Sequence, residues 1–410
     1  MSPFLRTPLY LRILAAFAIG VALGIALGSR AAPLEVPAKL ILRLLGALAP
    51  PLILIAVIHA LMQAEIKGRM GGRMVGLLIL NTLVAIGIGL LVANAVRPGR
   101  HARLAGPAAA SAPLRSGGAW SAVLDNVPTS VVKPLVDNQV IGVIFVAVAF
   151  GLALRRVREE QRRSGASGYK GLEEAVEAAF RCLVIVLHWV VNIIPIGVLC
   201  IVASIVGTKG FRPFVSLAWF VLSVVVALCL QSAYYLIRVR LGSWVRPFDL
   251  LRGTRDALAM AFSTASSTAT MPVTYTCLRE RVGLREQSAS MGALVGANFN
   301  NDGTALYEAM SALFIAQMLG MDMSLQHQLM IVVTSVVASV GAAGIPEAGL
   351  VTMTLVFSAV GLPTQYIAVL LTVDWFLDRC RTAINVMGDL NVSCLLDGRE
   401  RETAHADAAT

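Results

Sequence analysis

The residues best placed to do chemistry lie close together near the end of the chain: Asp374, Asp378, Arg381, Thr382, Asn385 and Asp389. At about 100° per residue these six share an arc of about 100° on a helix. Val373, Phe376, Leu377, Ala383 and Ile384 fall off that arc. Both signs of charge on one face suit a ligand that carries both signs itself. Arg381 offers a planar fork for a carboxylate, and Asp378, one turn earlier, can take an ammonium. The plainer alternative is an internal ion-pair network that only holds helices together.

A second polar stretch reads Gly-Ala-Asn-Phe-Asn-Asn-Asp-Gly-Thr at 296–304. Gly303 follows Asp302 and predicts local unwinding, which would free carbonyl oxygens for a hard cation such as Na⁺. Asn300 and Asp302 add side-chain oxygens. Glu308, further along the same helix, can carry a proton if buried, or serve as a structural partner of Arg379 or Arg381. His59 and His188 interrupt apolar runs and read as hydrogen-bonded structural residues. The six cysteines are far apart and form no CxxC spacing, so they read as apolar filler, with no disulfide framework and no zinc site. No HExxH, GxSxG or Walker A pattern occurs.

The elements that must position these residues are apolar. Uncharged runs fall at 13–29, 44–64, 74–96, 138–154, 182–208 and 213–237, and a spanning helix needs about 20 residues. The second half changes character. Segments 259–272 (AMAFSTASSTATMP) and 335–349 (SVVASVGAAGIPEAG) put small and hydroxyl residues and a proline inside longer apolar stretches. Each arm of such a stretch is too short to cross a core of about 30 Å, which predicts two re-entrant hairpins. Pro272 precedes Asp302 by 30 residues and Pro346 precedes Asp378 by 32, a coarse repeat of hairpin plus polar helix. Paired broken segments point to a transporter's binding site. Close packing of small residues is the alternative.

The whole chain agrees with this. It has 410 residues, 57% hydrophobic and only 14% charged, with a mean hydropathy of +0.75. That composition excludes most soluble enzymes and nucleic-acid binders. The net charge of +10 fits a membrane protein whose basic loops face anionic lipid. The cluster Arg155, Arg156, Arg158, Arg162 and Arg163 places the N-terminus on the cytoplasmic side, with 238–246 as a further basic cytoplasmic loop. Segment 98–118 reads as a flexible extramembrane loop and 399–410 as a polar tail.

On these motifs the chain resembles the dicarboxylate/amino acid:cation symporter family, the glutamate transporter family. The serine-rich hairpin is Ser266-Ser267-Thr268-Ala269-Thr270-Met271-Pro272. The penultimate-helix motif is Asn300-Asn301-Asp302-Gly303-Thr304, the second hairpin tip Gly341-Ala342-Ala343-Gly344-Ile345-Pro346, and the last helix Asp374-Trp375-Phe376-Leu377-Asp378-Arg379 with Arg381, Thr382 and Asn385. The resemblance implies an all-α polytopic membrane protein of eight transmembrane helices plus two re-entrant helical hairpins, the inverted-repeat elevator fold. It implies a scaffold at about 8–64 and 119–208, and a transport domain at about 74–97 and 213–398. It implies a homotrimer in a bacterial cytoplasmic (inner) membrane. The partners would be an acidic amino acid, monovalent cations and lipid, with no nucleic acid. The coupling ion would be Na⁺ or H⁺, with no cofactor.

Carried over by position, Arg381 would bind the substrate side-chain carboxylate and Asp378 its ammonium. Asn385 and the hairpin backbone around Ser267 would hold the α-carboxylate, Thr304 and Thr382 would complete the pocket, and Ser266, Gly341 and Gly344 would also be substrate-binding. One cation site would use Asp389 with backbone oxygens of Gly296, Asn300 and Asn385. A second would use backbone oxygens of Asn298, Ser339, Val340 and Ala342. A third would use Asn300, Asp302, Asn81 and Thr82. The chain departs from the pattern at Asn301, where the family has Met, at Asn298, where it has Thr, and at Leu78, where some members have Tyr. Glu308 and Arg379 resemble the excitatory amino acid carriers of animals. Archaeal members place an arginine where this chain has Ala265.

The nearest rival is a C4-dicarboxylate symporter, which would leave Asp378 without an ammonium. An ion channel also uses broken helices, and saturable, gradient-dependent uptake separates it from a carrier. A membrane enzyme would need a nucleophile–base pair that the sequence lacks.

Overall fold

The computed structural model describes residues 9–63, 68–102, 128–137, 140–341 and 348–400. Among them every regular element is helical. The six uncharged runs become α1 (Leu9–Leu27), α2 (Glu35–Gln63), α3 (Gly68–Val96), α4 (Val140–Ser164), α5 (Gly168–Lys209) and α6 (Arg212–Gly242). Several outrun the apolar segment because their polar ends go on as helix. With 42 residues, α5 is about 63 Å long at 1.5 Å per residue, about twice the hydrocarbon thickness. Among the described residues four stretches are long and apolar enough to cross a membrane: Leu11–Ile41, Met70–His101, Gly168–Lys209 and Pro213–Gly242. Their outer faces carry large apolar side chains: Ile25, Leu91, Trp189, Ile237 and Leu241 are each more than half exposed. The expected loop at 98–118 starts later than its composition suggested. Pro98–Ala102 form a 3₁₀ turn, and Gly99 N donates to Gln317 Oε1 at 3.1 Å. The rest of that segment lies outside the described residues.

After Arg246 the chain builds a broken pair, α7 (Pro247–Thr264) and α8 (Ser267–Thr276). Two residues make the turn. Ala265 has φ 51°, in the left-handed region, and Ser266 is extended at φ −138°. Ser266 Oγ caps α8 by accepting from Ala269 N at 3.1 Å. Pro272 lies inside α8 and does not end the break. The helix passes it and widens into a π turn at Cys277–Val282.

Next come α9 (Glu286–Ser290), its continuation through a π turn to Gly296–Phe299, and α10 (Asp302–Met318). The chain unwinds between them at Asn300 (φ −93°, ψ 91°) and Asn301 (φ −121°, ψ 45°). The sequence put that unwinding at Gly303. The break falls earlier because the asparagine amides find partners on other helices and replace the lost ladder bonds. Gly303 sits in the first turn of α10, where a methyl would lie 2.7 Å from Arg381 O. It permits close approach, not unwinding.

The second pair is α11 (Leu325–Gly341) and α12 (Ala348–Ala359), and the chain closes with α13 (Ile367–Asp397). The tip 342–347, with Ala342, Gly344 and Pro346, lies outside the described residues. Helix α10 is buried almost all round and α13 along most of its length, as for central helices.

Packing falls into two groups. Helices α1, α2, α4 and α5 pack on one another, and α3, α6, both broken pairs, α10 and α13 pack on one another. The groups meet where α11 and α12 lie on α2, α11 on α4, α13 on α1, α2 and α5, and α5 on α6. Gly20 and Gly24 let α1 approach α5 closely: a methyl on either would lie 2.7 Å from Leu199 O or Ala203 O. At one end of α13, Asp397 accepts from Trp244 Nε1 at 2.7 Å and from Arg285 N and Nε at 3.0 Å. This ties the end of α13 to the starts of α7 and α9.

Candidate functional site

The six polar residues of α13 do share one face, and all six are buried. Arg381 is fully buried. Its Nη1 donates to Asp374 Oδ1 at 2.9 Å and its Nη2 to Asp378 Oδ1 at 2.7 Å. Its Cζ stands 4.0 Å from the centroid of the Tyr307 ring, a cation–π contact. A methyl at Gly349 would lie 3.2 Å from Nη2, so the start of α12 rests on the guanidinium. Among the described residues the Nε has no hydrogen-bond partner. The two charges expected to read a ligand are thus turned toward each other, and one arginine donor is left over.

Around this triad Thr382 Oγ1 donates to Asp378 O at 2.8 Å. Asn385 Oδ1 accepts from Gly303 N at 2.8 Å, and its Nδ2 reaches Asn301 Oδ1 at 3.3 Å and Thr304 Oγ1 at 3.4 Å. Asn385 therefore bridges α13 to the unwound segment. Ser266 and Ser267 are buried at the first turn, and Ser267 Oγ donates to Ala297 O at 3.4 Å. Gly341 ends α11, and Gly344 is outside the described residues. Glu308 is fully buried on α10, and neither of its carboxyl oxygens has a hydrogen-bond partner among the described residues. Arg379 does not pair with Glu308. It donates to Phe262 O at 3.0 Å and to Ser263 O, holding the last carbonyls of α7 as basic side chains do at helix C-termini.

The first proposed cation set converges. Asn300 Nδ2 donates to Asn385 O at 2.8 Å and to Asp389 Oδ1 at 2.9 Å. Gly296 packs on the same carboxylate, since a methyl there would lie 3.0 Å from Asp389 Oδ1. Asn300 Oδ1 is buried and has no partner among the described residues. In the second set Ser339 O accepts from Asn301 Nδ2 at 3.0 Å, and α11 packs against the turn that carries Asn298. Asn298 Nδ2 bonds Leu294 O at 3.2 Å within its own helix, Val340 lies in the last turn of α11, and Ala342 is not described. The third set is also brought together: Thr82 Oγ1 donates to Asp302 Oδ1 at 2.6 Å, and Asn81 is buried beside them.

Sequence reasoning missed four contributors. Tyr307 lies under Arg381, Tyr235 OH donates to Asp302 Oδ2 at 2.5 Å, Asn391 accepts from Asn81 Nδ2 at 3.3 Å, and Arg238 Nη1 donates to Asn81 Oδ1 at 2.5 Å. Arg238 was assigned to a cytoplasmic loop at 238–246. It lies in α6, which continues to Gly242. Only its place inside an otherwise apolar helix end could have signalled this. His59 is structural, with Nε2 2.5 Å from Glu177 Oε2 and its ring stacked on Phe180, while His188 faces outward.

Comparison with known proteins places this geometry. The sodium:dicarboxylate symporter family matches residues 9–399. Over 257 residues the chain is 37% identical to excitatory amino acid transporter 4 of Mus musculus, covering 61% of this chain and 44% of that protein. It is 38% identical over 253 residues to excitatory amino acid transporter 2 of Mus musculus (61% and 43%). It is 36% identical over 260 residues to excitatory amino acid transporter 1 of Homo sapiens (61% and 45%). The match thus spans under half the length of these relatives. With its outward apolar helices the protein is an integral membrane protein, and the chain belongs to the sodium:dicarboxylate symporter family.

Proposed function

We propose that the protein is a secondary active symporter for acidic amino acids, glutamate or aspartate, coupled to Na⁺ or H⁺. The observation that carries this reading is the buried Asp374–Arg381–Asp378 triad with its unused Nε, held beneath the second broken pair. A buried ion pair opens at little cost only when both partners are met again. An acidic amino acid does this, its side-chain carboxylate replacing Asp378 on the arginine fork and its ammonium replacing the guanidinium on Asp378. Asn385, Thr304, Thr382 and the turn at Ser266–Ser267 surround the exchange.

The charge balance explains coupling. The triad carries two carboxylates and one guanidinium, and the substrate brings a further net negative charge. Burying that charge alone is prohibitive, so a cation must enter with it. The Asp389 carboxylate, with oxygens of Asn385 and Gly296 and the unpartnered Asn300 Oδ1, is the proposed place for Na⁺. Glu308 is the proposed proton carrier.

The two packing groups support an elevator in which α3, α6, both hairpins, α10 and α13 move against α1, α2, α4 and α5. Eight spans, a homotrimer, a bacterial inner membrane and a cytoplasmic N-terminus complete the proposal. Uptake of labelled glutamate and aspartate into proteoliposomes, under separately imposed Na⁺ and proton gradients, is the test. Saturable uptake driven by one gradient is expected. Uptake that ignores both gradients, or a preference for succinate, defeats the proposal.

A further inference from the structure

Two buried carboxylates near the unwound segment stand in different surroundings. At Asp389 the oxygens converge on one amide nitrogen, and Asn300 Oδ1 has no partner among the described residues. At Asp302 every oxygen is already met. Thr82 Oγ1 donates to Oδ1 at 2.6 Å and Tyr235 OH to Oδ2 at 2.5 Å. The side-chain oxygen of Asn81 next to them accepts from Arg238 Nη1 at 2.5 Å. Arg238 is half-buried, also donates to Tyr234 OH at 3.1 Å, and lies 5.5 Å from the centroid of the Tyr234 ring. Tyr235, which holds the Asp302 carboxylate, lies three residues before it on the same helix.

A hard monovalent cation binds by collecting several oxygen lone pairs, and donor hydrogens and a positive charge already placed among those oxygens compete with it. A guanidinium supplies the same positive charge on a tether. It is weakly hydrated and holds its donors in a fixed plane, so it suits a half-buried position near a carboxylate. An arginine this close to the end of α6 could extend toward water, as long basic side chains do. Its hydrogen bonds instead run inward to α3.

We propose that Arg238 is a tethered cation. Its guanidinium does at the Asn81–Thr82–Asp302 cluster what a coupling ion would do, and the cluster binds no Na⁺. This rests on the reading of the protein as a cation-coupled symporter, and it makes Arg238 a determinant of how many ions accompany each substrate. Arg238 acts through Asn81 and the local charge, without touching substrate.

The test is equilibrium binding of radiolabelled Na⁺ to the purified full chain in lipid nanodiscs, without amino acid. Arg238→Met should bind one more Na⁺ per chain than the parent, and the gain should vanish in Arg238→Met/Asp302→Asn. Arg238→Lys keeps the charge and should match the parent. Asp302→Asn alone should leave the parent's Na⁺ binding unchanged, and Thr82→Ala gives the same comparison if that variant does not fold. Arg238→Gln replaces Arg238→Met on the same terms. Parent binding that falls with Asp302→Asn or Thr82→Ala overturns the proposal, as does Arg238→Met or Arg238→Gln without a gain. Glutamate uptake by reconstituted parent and variants keeps the two readings apart. If neither transports acidic amino acids, the symporter reading fails while the Na⁺ counts still decide the role of Arg238.

Discussion

Arg381 has two carboxylate partners and a ring beneath it, so removing any one of them exposes the others. Taking one partner from a desolvated charge pair costs about 2–5 kcal/mol, or about 30- to 4000-fold in affinity. Asp378→Asn should weaken glutamate and aspartate by that range and succinate far less. Equal losses, read by direct binding, would mean that Asp378 does not meet the ammonium. Arg381→Cys should abolish acidic amino acid uptake and let weak uptake of serine, alanine or cysteine appear. Acidic substrates binding within a few-fold of the parent would make Arg381 purely structural. Glu308→Gln should flatten the pH dependence of transport, and an unchanged profile would remove Glu308 from the proton path. The aspartates and arginine of this face were legible in the sequence because charge inside an apolar run stands out. Tyr307 and Tyr235 were not, since an aromatic residue in such a run looks like any other core residue. Arg238 was hidden by lying where helix and loop have the same composition.

Helix existence could be read from the length of each uncharged run, and the two broken helix pairs from small residues and prolines in paired places. Where each helix breaks could not. The first turn is made at Ala265 and Ser266, ahead of Pro272. The α9–α10 break falls on two asparagines whose partners, Asn385, Asp389 and Ser339, are distant in sequence. Contact between α1 and α5 was equally invisible, because glycine spacing does not name the opposing helix. It is testable by thermal unfolding in detergent. Gly24→Leu drives a side chain into Ala203 O and Val206 and should lower the transition by several degrees or prevent folding, since overpacking costs about 1–3 kcal/mol or more. Gly76→Leu, where nothing lies within 4 Å, should leave it nearly unchanged. Equal effects would show that α1 does not depend on this close approach.

At the scale of the molecule, the two packing groups meet along several helix pairs, and their relative motion is what the proposed mechanism needs. Composition alone held no sign of the division; it came from the resemblance. A tether within one group should be harmless and a tether between groups should not. Leu61→Cys with Gly151→Cys joins α2 to α4, where Gly151 lies on Leu61, and oxidation of that pair should leave uptake near the parent's rate. A disulfide placed where α2 meets α12 should stop uptake until it is reduced. Transport that survives the second tether would mean that substrate crosses without the groups sliding.

Every interhelical partner of the polar face of α13 precedes it in the chain. A ribosome delivers α1, α2, α4 and α5, which pack with each other, long before α13 emerges. Until then the amides of Asn300 and Asn301 have no Asn385 or Asp389 to meet. Released into lipid alone, α13 would bring Asp374, Asp378, Arg381 and Asp389 with it, each costing about 2.5–3.5 kcal/mol near the centre of a helix. The insertion machinery must therefore pass α13 to helices already waiting in the bilayer.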